Sequence, residues 1–138
     1  MADRAPNRLE PSFYSRIPHL IDDSELSPYA VRLYLHYKRV TGDDRADRSR
    51  MFPCTESAAT LAVKLHMSKM SVLAARKELL AADLVTTRRV AVTGGYGWEV
   101  VPTDIWDENV THYRTRSRER ATQRALEDEQ RLVAGLAS

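Results

Sequence analysis

Cysteine occurs once, at Cys54, so the chain cannot close an internal disulfide, and a lone thiol fits a reducing cytoplasm. No apolar run approaches the roughly 20 residues that a membrane-spanning helix needs. The first ten residues carry charges and no apolar stretch, which argues against a secretory signal. A large excess of one charge is also missing: 21 basic residues face 19 acidic ones, for a formal charge of +2. Patterns of catalysis and metal binding are absent along the chain. The four histidines show no ligand spacing with Cys54 or with one another. Cys54 follows Pro53, has no histidine near it in sequence, and reads as a structural thiol rather than a nucleophile. Gly94-Gly95-Tyr96-Gly97 closes a hairpin instead of opening a helix, so it is no phosphate loop. Asp22-Asp23 and Asp43-Asp44 read as solvated loop pairs. No enzymatic activity, cofactor or metal is expected, and the expected location is cytoplasmic.

What is present suffices for one cored domain with an appendage: 138 residues, 43% of them hydrophobic. We expect a loose arm over residues 1–15, a domain over 16–110 and a charged C-terminal helix over 111–138. The segment 16–21 should lie extended because of Pro18. A first helix should begin after Ser27, a good N-cap, with Pro28 at the position where a missing N–H costs nothing. Tyr29, Ala30, Leu33, Tyr34, Tyr37 and Val40 keep the i, i+3, i+4 rhythm of one buried face, and Gly42 is the natural stop. Residues 43–50 read as a charged loop, after which 51–54 return the chain to the core.

The most informative stretch is 55–98. A second helix with Ala58, Leu61, Ala62 and Leu65 inward is followed by a tight turn and by a third helix capped by Ser68. In that third helix Val72, Ala75 and Leu79 share a face, with Leu84 just past its end. Two strands follow, at 84–92 and 98–101, joined by Thr93-Gly94-Gly95-Tyr96-Gly97. The fold expected is mainly α with a small β-hairpin: a winged helix-turn-helix plus a C-terminal helix. Its core should hold Leu33, Tyr34, Tyr37, Leu61, Leu65, Val72, Leu79 and Leu84, with Trp98 and Trp106 buried against the first helix.

Ile17-Pro18-His19-Leu20-Ile21-Asp22, Leu26-Ser27-Pro28-Tyr29-Ala30, Leu33-Tyr34-Leu35, Pro53, Thr60-Leu61-Ala62, Met67-Ser68 and Lys77-Glu78-Leu79 together resemble a known domain. It is the N-terminal winged-helix domain of phage and plasmid replication-initiation proteins, sometimes called replisome organisers. The resemblance covers about residues 13–109, including Asp104-Ile105-Trp106. It implies a domain that binds origin DNA or self-associates, while a separate part recruits the helicase machinery. Where such domains commonly carry glycine, this chain has His66 in the turn and Asp83 after the third helix; both types tolerate a left-handed backbone.

On the third helix Met70, Leu73, Ala74 and Lys77 fall opposite the buried face, and Lys69 and Ser71 sit at its N-terminal turn. Lysines and serine can meet phosphates or base edges, and the apolar three can touch thymine methyls. The same apolar three can equally be the centre of a protein contact or a patch covered by another segment. Arg88 and Arg89 adjoin on the first strand, so alternation lets only one of them face DNA; Tyr96 at the hairpin tip can lie on a sugar or phosphate. Arg114, Arg116, Arg118, Arg120 and Arg124 crowd eleven positions of the last helix, with Arg116, Arg120 and Arg124 on one face. Glu127, Asp128 and Glu129 follow at once. Auxiliary phosphate contact, an antiparallel homodimer contact and plain solvation are all open for that segment. The expected partners are double-stranded DNA, a second copy of the chain, and a replication or transcription protein, with no membrane. The alternative function is an interaction module that docks a protein on the apolar face of the third helix.

Overall fold

A computed structural model describes residues 15–42 and 52–136. Most of the expected arm, and the charged loop at 43–50, lie outside the described residues. The chain is mainly helical: α1 (His19–Asp22), α2 (Pro28–Thr41), α3 (Ala58–Leu65), α4 (Lys69–Ala81), an antiparallel hairpin of β1 (Val85–Val92) and β2 (Gly95–Pro102), and a long α5 (Trp106–Leu136). It divides into two compact units, one running from Ile21 to Asp104 and the other made of Pro18–Leu20 and the chain from Ile105 onward. Among the described residues no helix is long and apolar enough to cross a membrane.

Caps written into the sequence set the helix ends. Ser27, Ser57 and Ser68 each sit in extended backbone and accept a bond from the N–H three residues on, at 3.2, 3.1 and 3.0 Å. Gly42 ends α2 with φ of 86°. His66 and Asp83 both take the left-handed region, φ 55°. After Asp83 the bonds Asp83 N–H to Leu80 O and Leu84 N–H to Leu79 O, at 3.1 and 3.0 Å, close a Schellman turn. That turn delivers the chain from α4 straight into β1.

The larger unit is built around α4. Val72, Ala75 and Leu79 are fully buried, and α4 packs against both α2 and α3. From α2 come Ala30, Leu33, Tyr34 and Tyr37, and from α3 come Leu61 and Leu65. All eight of the expected core residues are buried. Cys54 joins them, as the expected return of 51–54 to the core implies, and Thr41 joins them unannounced by the pattern. The hairpin pairs Val85 with Pro102 through Val92 with Gly95. Cys54 adds a single-residue third strand, exchanging two bonds of 2.9 Å with Val100. At the base of the hairpin Val85, Val100 and Pro102 share the inward face.

Several sequence expectations are corrected. Residues 19–22 form a helical turn rather than an extended strip, because Pro18 restrains the residue before it and leaves those after it free to turn. Tyr29 is 54% exposed. The buried stripe of α2 centres on Ala30 and Tyr37, which puts Tyr29 about 100° away on the flank. Phe52 is exposed, so the return to the core is made by Cys54. Residues 95–97 belong to β2, leaving a two-residue turn at Thr93-Gly94. Trp98 and Trp106 are half exposed, not buried. α5 starts at Trp106, five residues before the expected 111.

The smaller unit is α5 and the short Pro18–Leu20 segment. Leu20 N–H bonds Asn109 Oδ1 at 3.0 Å, and the His19 and Tyr113 rings stand 6.1 Å apart. No residue of α5 itself is buried apart from its lead-in, Ile105.

Candidate nucleic-acid interface

α4 turns one face inward and the other to solvent. Lys69, Met70, Leu73, Ala74 and Lys77 are all exposed, Met70 by 75% and Leu73 by 41%. They form one continuous strip in which two lysines bracket an apolar centre. Neither lysine has an ion pair among the described residues. Ser71 stands apart from them: it is half-buried, and its hydroxyl oxygen accepts from the Ser68 hydroxyl at 2.9 Å within the cap. Arg76 leaves the strip altogether. Its Nε donates to the Tyr37 hydroxyl at 3.1 Å, giving that buried phenol a partner. Burial pushes the Tyr37 phenol up from its ordinary value, partly offset by Arg76.

The hairpin separates its two arginines by strand alternation. Arg88 is spent on Glu99, with Nη2 at 2.8 Å and Nε at 3.1 Å from the same carboxylate oxygen. Arg89 points to the other face, the one that carries Tyr96 and Trp98. Its guanidinium lies over the Tyr96 ring, 4.5 Å from the centroid. Tyr96 is 71% and Trp98 50% exposed. Arg89, Tyr96 and Trp98 therefore make a basic-aromatic ledge that extends the buried face of the hairpin outward. Trp98 was expected in the core because its alternation matches the core residues Val100 and Pro102. The register signals its position beyond them only once the strand length is known.

On α5, in the separate unit, Arg114, Arg116, Arg118, Arg120 and Arg124 are all exposed. Arg116 meets Glu119 at 3.7 Å, a loose surface pair.

Two tertiary polar clusters had no signature in the sequence. Ser27 N–H and hydroxyl both donate to the Glu78 carboxylate, at 3.0 and 2.5 Å, tying the start of α2 to the last turns of α4. These bonds hold the Glu78 carboxyl below the usual range. The second cluster joins His36, Cys54 and Glu56. His36 Nε2 lies 2.7 Å from Glu56 Oε1, and Cys54 Sγ lies 3.7 Å from that same oxygen. Lys64 Nζ approaches the other carboxylate oxygen to 2.5 Å. Partial burial raises the Glu56 carboxyl, but the Lys64 and His36 contacts outweigh it and leave it below the ordinary value. Burial, reinforced by the Glu56 charge, pushes the Cys54 thiol up, the reverse of what a nucleophile needs. Among the described residues this is the one group of three potential metal ligands that converge. The expectation of no ligand spacing considered neighbours along the chain; the fold makes neighbours of positions 36, 54 and 56.

Comparison with known proteins finds no matching family model, no similar curated protein and no similar solved structure.

Proposed function

We propose that the chain is a winged helix-turn-helix DNA-binding protein of the replication-initiation or transcription-regulation kind. In this reading α3 and α4 are the helix-turn-helix, α4 is the recognition helix, and the β1–β2 hairpin is the wing. The observation that carries it is the α4 strip. Lys69 and Lys77 are exposed and would meet phosphates, while the exposed Met70, Leu73 and Ala74 between them would touch base edges. The unpaired face of the hairpin, with Arg89 and Tyr96, suits a backbone contact. The strip holds no Arg, Asn or Gln, the side chains that read bases by paired hydrogen bonds, so most of the affinity comes from phosphates and is salt-sensitive. The arginines of α5 are auxiliary phosphate contacts or a self-association surface. A cytoplasmic setting accords with the single free thiol.

The exposure of Met70 and Leu73 favours one second reading, in which the same strip docks a protein. Fluorescence anisotropy with mixed-sequence duplex DNA across a salt series separates the two. Binding that weakens steeply with salt supports the DNA reading. No binding of duplex DNA at low salt overturns it and leaves the docking reading.

A further inference from the structure

The His36, Cys54 and Glu56 cluster lies outside the proposed DNA-contacting strip, and its parts come from three separate places. His36 projects from α2, Cys54 from the residue bridged to Val100, and Glu56 from the turn just before the α3 cap. Their three ligand atoms all lie within 4.8 Å of one another. Cys54 is 1% exposed, while the side chains of His36 and Glu56 keep 12% and 19% of their surface. The cluster thus has a sealed sulfur end and a narrow open side.

We propose that His36 Nε2, Cys54 Sγ and Glu56 Oε1 form a binding site for a divalent cation of the zinc class. One imidazole, one thiolate and one carboxylate is a borderline-soft donor set that suits Zn2+ or Co2+ and not Mg2+ or Ca2+, which take oxygen ligands. Donors around a tetrahedral ion at about 2.0–2.3 Å stand roughly 3.3–3.8 Å apart. The sulfur and carboxylate oxygen already meet that spacing at 3.7 Å. The imidazole and carboxylate, 2.7 Å apart as a hydrogen-bonded pair, need to open by about half an ångström or more. On binding, the thiol proton leaves to solvent and a sulfur–metal bond forms. The Nε2 proton that bonds Glu56 is also given up to solvent, and the imidazole keeps one proton on Nδ1, freeing the Nε2 lone pair for the metal. Thiolate and carboxylate then balance the two charges of the ion, and a water fills the fourth position on the open side. Lys64 stays on Oε2, orienting the carboxylate from behind as an outer partner. The bound ion would clip α2, the Cys54 bridge and the entry to α3 together. This inference stands apart from the DNA reading and does not depend on it.

Co2+ is the probe. Reduced full-length protein titrated with Co2+ should give one equivalent of binding, a near-ultraviolet thiolate-to-cobalt charge-transfer band and the strong visible bands of a four-coordinate ion. Zn2+ should displace it and raise the melting temperature. Cys54→Ala, which keeps the site apolar and compact, should abolish the charge-transfer band, and His36→Gln should weaken binding at least tenfold. Circular dichroism checks that both variants fold. If Cys54→Ala fails to fold, the wild-type spectrum alone decides. Wild-type protein that shows no thiolate-to-cobalt band at a stoichiometric excess of Co2+ overturns the proposal, as does a band that survives in folded Cys54→Ala.

Discussion

Glu78 is the side chain whose replacement tests the packing logic most directly. It receives both the N–H and the hydroxyl of Ser27, while the Ser27 oxygen also accepts from Ala30 N–H. One carboxylate therefore fastens the N-cap of α2 to α4. Hydrogen bonds to a charged partner are worth roughly 1.5–3 kcal/mol when well buried. This pair is half-buried, so screening takes away more than half, and Glu78→Gln should cost about 1 kcal/mol, or roughly 4 °C in melting temperature. The pH dependence gives a second handle. The folded Glu78 carboxyl sits below the ordinary value of 4.5, so its stabilisation is complete above the unfolded pKa and disappears as pH falls through the folded one. Thermal melts of wild type and Glu78→Gln followed by circular dichroism should thus differ at pH 7 and converge toward pH 3. Ser27→Ala should cost more than Glu78→Gln, because it also removes the α2 cap, a further contribution of about 1 kcal/mol. The double mutant should be milder than the sum of the two. Equal melting of wild type and Glu78→Gln at pH 7, or a gap that persists unchanged at pH 3, would refute the clasp.

Leu79→Ala, at a position with no exposed surface, should cost about 2–5 kcal/mol in urea unfolding. Asp83→Gly relieves a left-handed residue and should stabilise by up to about 1 kcal/mol, the αL cost less the extra entropy of an unfolded glycine; a lower melting temperature would contradict the turn geometry. Charge reversal at Lys69 and Lys77 together should weaken duplex DNA binding and flatten the log–log salt dependence by a slope of about two, one for each lost phosphate contact. Deletion after Asn109 should leave a cooperatively folding unit with smaller oligomer size or lower DNA affinity, read by sedimentation and anisotropy; a truncated chain that cannot fold would place α5 in the core.

The elements that local chemistry dictates were legible. Ser27-Pro28, Ser68 and Gly42 mark helix ends by the backbone groups they satisfy or the φ they permit, and they stand where expected. His66 and Asp83, types that tolerate positive φ, take the two turns that commonly hold glycine. The inward phases of Leu61, Val72 and Leu79 followed from helical period alone. Misreadings arose where position depends on length or on a remote partner. Trp98 has the parity of a core residue, but the hairpin outruns the helices that would cover it. Tyr29 lies at the flank of a stripe whose centre only packing defines. The Ser27–Glu78 clasp spans 51 positions and the His36–Glu56 contact spans 20, and nothing in either local sequence announces the other. Of the site, the α4 strip was visible because a helix has a computable outer face. The pairing of Arg88 with Glu99 was not, because it depends on the cross-strand position of Glu99.

α5 shows how far the accounting can be carried. A helix of 31 residues rises about 46 Å. Its early turns are held by Leu20 on Asn109 and by His19 beside Tyr113. Beyond Tyr113, three pairs lie within the helix itself: Arg116 with Glu119, Gln123 with Glu127, and Arg131 with Asp128. Such pairs contribute only about 0.2–0.5 kcal/mol each. Isolated helices gain little from propensity alone, and most helical stability in proteins comes from burying a face. Leu126, Leu132, Val133 and Leu136 are all at least 49% exposed, so that gain is still unspent at the C-terminal end. The arginines at 116, 120 and 124 lie on one side, ahead of the acidic run at 127–129. Phosphates would neutralise the first group and leave the apolar residues bare. At 100° per residue, Leu126, Leu132, Val133 and Leu136 fall on the side of α5 opposite Arg116, Arg120 and Arg124, so whatever neutralises the arginines leaves the apolar side bare, and covering that side takes a separate contact.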